Sequence, residues 1–122
     1  MAQDTLASDE SVIKEFSDGG RVVKVGSWNA DHRYDAPDGD GGYTGQVFDR
    51  ERTAKMLGKL RAETRYATGD TQIPISVVTE GKKAVAAYLY TECGLAPGGI
   101  ARKMGLAEST AHQYLTDYLK GR

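Results

Sequence analysis

GGIARKMGLAESTAHQYLTDYL, from Gly98 to Leu119, holds two helical periodicities separated by a glycine. Ile100, Ala101 and Met104 recur at the spacing of one helix face, which predicts a short helix starting near Pro97 or Gly98 and ending at Gly105. A chain that reverses within a few residues needs positive φ at the turn, and glycine takes it without steric cost. Leu106 then fills the gap between the two helices. From Glu108 the apolar positions Ala111, Tyr114, Leu115, Tyr118 and Leu119 define a second helix of roughly three turns. Ser109, Thr110, His112, Gln113, Thr116 and Asp117 occupy its polar side. Ala101 is small where the helices cross, so their axes approach closely.

Short hydrogen-bonding side chains on an exposed helix ridge reach base edges and phosphates in a major groove. The string I-A-x-x-x-G-L-x-x-S-T-x-x-x-Y-L, Ile100 to Leu115, resembles the helix-turn-helix of many bacterial and archaeal transcription regulators. The resemblance covers about the last third of the chain. It implies a supporting helix over Pro97–Met104 and a recognition helix over Glu108–Leu119, with Ser109, Thr110, His112, Gln113 and Thr116 touching DNA. Arg102, Lys103 and Lys120 join them as DNA-binding cations. The implied partner is double-stranded DNA, read by a homodimer, because one short module without basic reading residues binds weakly and two half-sites combine their contacts. The chain departs from the family at Ala107, where a Ser or Thr cap is usual, and by placing Glu108 and Asp117 rather than bases on the second helix.

Upstream, Ala84, Val85, Tyr88, Leu89 and Cys93 form an apolar stripe, predicting a helix from Thr79 to Cys93 that completes a trihelical domain over residues 72–122. Gly94 ends it and Pro97 suits the next helix start. Cys93 is the one cysteine, so it forms no internal disulfide and reads as a small buried hydrophobe. Residues 49–67, DRERTAKMLGKLRAETRYA, read as a basic amphipathic helix capped by Asp49. Thr53, Met56, Leu57, Leu60 and Ala67 line one side. Arg52, Lys55 and Lys59 are its candidates for contacts to a DNA backbone, set against the plainer reading of a wet charged face with Glu51 and Lys55 paired at i,i+4. A third reading packs Met56, Leu57 and Leu60 against a second copy.

Val12–Ser17 and Gly20–Trp28 flank Asp18-Gly19, which predicts a β-hairpin with a two-residue turn, Val12 and Phe16 sharing a face with Val23 and Val25. Residues 1–10 read as a flexible tail, and residues 11–48 as the hairpin followed by an acidic Gly/Asp loop over Asn29–Gly45. The loop's aspartates miss calcium-loop spacing, its glycines miss the phosphate-loop patterns, and neither His32 nor His112 has a partner at metal-ligand or nucleophile spacing. The expectation is no metal, no cofactor, no small-molecule ligand and no catalysis. Gln72–Val78 offers a further strand, confined to an edge by Pro74.

The fold class expected is α+β, mainly α: an N-terminal hairpin, a basic helix and a C-terminal helix-turn-helix. At 122 residues and 39% apolar the chain supports one core of ordinary size. Net charge is −1, yet residues 1–49 hold four bases against ten carboxylates (−6) and residues 50–122 twelve against seven (+5). Such asymmetry suits a basic part that approaches phosphate and an acidic part that does not. The alternative use is a protein-interaction module, antitoxin-like or adaptor, contacting a basic partner through the acidic half. Abundant Gly, Asp and Ala with little Phe or Ile is similar to the usage of salt-loving archaea. Neither a membrane span nor a secretory signal is legible, so the expected location is cytoplasmic.

Overall fold

The computed structural model describes residues 6, 9–26, 31–66 and 72–121. Among these the chain is α+β, with a four-stranded antiparallel sheet, β1 (Glu10–Glu15), β2 (Arg21–Val25), β3 (Asp31–Pro37) and β4 (Tyr43–Phe48), followed by five helices. The helices are α1 (Glu51–Thr64), α2 (Ile75–Glu80), α3 (Lys82–Thr91), α4 (Pro97–Met104) and α5 (Glu108–Lys120). None is long and apolar enough to cross a membrane. Two compact units meet within α1, one ending at Gly58 and the other starting at Lys59.

In the first unit the strands lie in chain order, each paired with the next. The hairpin turn falls where Asp18-Gly19 places it, but with three residues rather than two. Phe16 N–H donates to Gly20 C=O, Gly19 N–H donates to Phe16 C=O, and Gly19 alone takes a positive φ of 92°. This is a turn closed by one left-handed residue, the common three-residue solution. Asp18 adds a side-chain bond to Gly20 N–H at 2.9 Å. A bulge between Val12 and Lys14 shifts the register, so the apolar face is not the expected one. Ile13, Phe16, Val22, Tyr34, Ala36 and Phe48 pack with Ala54 and Leu57 of α1, whereas Val12 and Val23 pair on the other side. Phe16 presses on the backbone of α1 at Gly58, where a Cβ would stand 2.2 Å from its ring.

The expected acidic loop is, over its described part, mostly sheet: β3 and β4 occupy it, leaving only Asp38–Gly42 as a turn. Charge pairing explains this. On the face opposite Tyr34, Arg33 reaches Glu10 at 2.7 Å and Asp35 at 2.6 Å, and Arg21 reaches Asp35 at 3.0 Å while lying 4.0 Å over the Tyr43 ring. Asp35 is 2% exposed and Arg21 6%. Buried carboxylates persist because each lone pair finds a cation. The Asp38 carboxylate accepts the N–H groups of Asp40 and Gly42, closing its own turn.

In the second unit α3 packs on α5, α4 on α5 and α2 on α3. The helices expected over Pro97–Met104 and Glu108–Leu119 form, the second ending one residue later, at Lys120. Gly105 is left-handed (φ 69°), and its N–H and that of Leu106 both point at Ala101 C=O. The single helix expected over Thr79–Cys93 is instead two, broken at Gly81 (φ 124°), which no continuing helix can hold. Residues 72–78, read as a strand, instead lead into α2, which starts at Ile75: Pro74 C=O accepts from Val77 and Val78, and Val77 is buried. Cys93 is exposed, not buried, because α3 stops at Thr91 and leaves it in the turn before Gly94. The tail beyond Leu6 and Asp9, and Ala67, expected on the basic helix, lie outside the described residues.

Candidate nucleic-acid interface

The polar ridge on α5 comes from a plain alternation of burial. Ala111, Leu115 and Tyr118 turn inward. Ser109, His112, Gln113 and Lys120 are exposed and Thr110 and Thr116 half-buried; Ser109 and His112 stand three residues apart, and Gln113, Thr116 and Lys120 continue beside them at three and four, so together they form one polar face. Arg102 and Lys103 are exposed on the last turn of α4, where cations also suit the helix dipole.

The ridge is not charge-free. Gln113 donates its amide to Asp117 at 2.7 Å, and Asp117 lies 3.6 Å from the Lys83 ammonium. The i,i+4 Gln–Asp spacing was visible in the sequence and the engagement follows from it. Lys83, from another helix, carried no local signal. Ala107 caps α5 without a side-chain bond, and Glu108 leans over Gly98, where a Cβ would meet its carboxylate at 2.9 Å. Pro97 stands at the first turn of α4, as its missing N–H favours.

The basic helix divides its cations. Arg52 is exposed. Lys55 pairs with Glu51 at 2.7 Å, as the plainer reading of that helix had it. The Lys59 ammonium binds Tyr118 C=O, sits 4.0 Å over the Tyr118 ring and lies 4.0 Å from Glu63. It therefore serves the C-terminal end of α5, where a cation offsets the carbonyl dipoles. Lys59, Glu63, Glu80, Lys83 and Tyr118 surround a cavity of about 260 Å³ there. Burial and then Glu63, which accepts the Tyr118 hydroxyl at 3.0 Å, push that phenol well above its ordinary range.

A second cluster anchors α1 to the end of α3. Arg61 donates to both Glu92 oxygens, at 2.8 and 3.0 Å, and the Tyr66 hydroxyl donates to the same carboxylate. Burial opposes the charge on Glu92, but these donors outweigh it and hold the carboxyl below its usual range.

Among known proteins, no family model, curated sequence or solved structure matches this chain. Among the described residues no group of three or more His, Cys, Asp or Glu is arranged to hold a metal ion.

Proposed function

We propose that the chain is a DNA-binding regulator whose α4 and α5 act as a helix-turn-helix, α5 lying in the major groove, in a homodimer. The observation that carries this reading is the ridge of α5. A continuous stripe of hydrogen-bonding side chains faces solvent while the opposite face is buried, and Arg102 and Lys103 are exposed just before the glycine turn. His112 and Gln113 meet base edges. Arg102 and Lys103 meet phosphates, and Ser109 and Thr110 position the start of the helix. Glu108 disfavours phosphate nearby, which restrains affinity for random sequence.

Selection of bound fragments from random duplexes, followed by titration at several salt concentrations, tests the reading. Arg102→Ala or Lys103→Ala lowers affinity for every duplex and flattens the salt slope by about one per cation. His112→Ala or Gln113→Ala costs about 1–3 kcal/mol on the selected sequence and relaxes the preference. Equal losses on selected and random duplexes for all four variants rule out base reading. A chain shortened before Leu95 that still holds a protein partner favours the interaction module instead.

A further inference from the structure

The sheet ends on two unlike edges. β1 carries Glu10, Lys14 and Glu15 and a bulge between Val12 and Lys14, devices that stop a strand from pairing further. β4, sequence YTGQVF, has no charged residue, no proline and an unbroken register with β3. Asp38 N–H donates to Gly42 C=O at 3.1 Å. Hydrogen-bonded and non-bonded pairs alternate along an antiparallel ladder, so the pairs Pro37–Tyr43, Asp35–Gly45 and Arg33–Val47 are non-bonded ones. The N–H and C=O groups of Tyr43, Gly45 and Val47 consequently face away from β3. Gly45 is exposed and Val47 is 59% exposed, and among the described residues no backbone bond occupies these groups.

The geometry points to β4 as the surface on which two copies of this chain join, antiparallel, into one continuous eight-stranded sheet. Residues opposite one another in a sheet share a face, and a two-fold axis perpendicular to the sheet keeps each residue on its own face. The axis must therefore pass through a residue rather than between two. With the axis at Gly45, Gly45 faces its own copy and Tyr43 faces the partner's Val47, so every outward peptide group from Tyr43 to Val47 is used. An aromatic and a β-branched residue then sit opposite each other, a favourable cross-strand pair. The uncharged strand meets itself without repulsion. The joined sheet leaves β1, guarded by its bulge and its charged residues, at both outer edges.

The homodimer belongs to the functional reading above, but this surface does not depend on DNA, and the two fail separately. Sedimentation equilibrium of the full chain without DNA is expected to give the mass of two chains, with the Gly45 and Val47 amides slow to exchange. Val47→Pro removes an outward donor that bonds nothing in β3, and weakens the dimer at least about tenfold, two donors being lost per pair. Val47→Lys, a change at an exposed position, does the same by placing a charge on the edge. A monomer at every concentration, a dimer that survives both variants, or a dimer whose Gly45 and Val47 amides exchange at free rates overturns the proposal. A monomer that still selects a DNA sequence refutes this surface alone, and a β4 dimer that ignores duplex DNA refutes the DNA reading alone.

Discussion

The sheet unit and the helical unit use charge in opposite ways. In the sheet, Arg21 and Asp35 are buried, Arg33 and Glu10 are half-buried, and the four pair with one another. In α4 and α5, Arg102, Lys103 and Lys120 stay in solvent, and the helices hold together through Ile100, Ala101, Ala111, Leu115 and Tyr118. A charge of the first kind holds the fold together. One of the second kind is available to a partner at little structural cost, because a surface ion pair contributes about 0–1 kcal/mol.

Asp35→Ala is the strongest way to break that contrast. It removes the carboxylate shared by Arg21, 6% exposed, and Arg33, which keeps Glu10, an effect of about 3–5 kcal/mol. Denaturant unfolding should show it as a large loss in midpoint. A loss below about 1 kcal/mol would mean that the sheet's network resembles a surface pair after all. Next in size is Gly58→Ala, where the new methyl meets the Phe16 ring. Overpacking costs about 1–3 kcal/mol, partly offset by helix propensity. In Gly58→Ala combined with Phe16→Ala the added loss from Gly58→Ala should vanish, which a double-mutant cycle would read directly.

Glu92 sharpens the comparison because it is the helical unit's own withdrawn carboxylate. Its folded pKa lies below the ordinary 4.5, so the stability it adds is present above that pH and is lost as pH falls through the depressed value. Tyr66 works in the other direction. Burial and then Glu92 raise its pKa, so its contribution is complete below pH 10 and fades as pH rises toward the raised value. Glu92→Gln should cost about 1–3 kcal/mol at neutral pH and flatten the acid limb of a stability–pH curve.

The helical unit was more legible than the sheet unit, for reasons that lie in particular residues. Ile100, Met104, Ala111 and Leu115 announce themselves by periodicity, and Gly105 by its φ, because each acts locally. Asp18-Gly19 likewise marked the first turn. β3 was hidden because only Tyr34 and Ala36 of DHRYDAP mark its core face, and on the opposite face Arg33 and Asp35 are held by Glu10 and Arg21, far away in sequence. The acceptor that Lys59 meets, Tyr118 C=O, lies far away in sequence and carried no local signal. The ridge itself was readable because exposure on a helix follows from the burial of the opposite face. Its coupling to Lys83 was not.

Ala107→Ser gives a smaller effect with the opposite sign. Ala107 caps α5 in an extended conformation (φ −71°, ψ 149°) with no side-chain bond. A serine oxygen there can accept an N–H of the first turn, which should stabilise the unit by about 1 kcal/mol and raise the melting midpoint. An unchanged midpoint would show that the first-turn N–H groups already have acceptors.

Asp117→Ala carries the smallest effect on folding and the most direct consequence for the comparison. Asp117 holds the Gln113 amide and lies near Lys83, yet no buried cation depends on it alone: the Lys83 side chain is 38% exposed. Stability should change by less than about 1 kcal/mol. Removing a negative charge beside the ridge and releasing Gln113 should raise affinity for duplex DNA, more at low salt than at high salt, because exposed charges are screened. Unfolding and binding titrations on the same variant separate the two. If Asp117→Ala destabilises the chain as much as Asp35→Ala, the charges of α5 serve the fold and not a partner, and the distinction between the two units disappears.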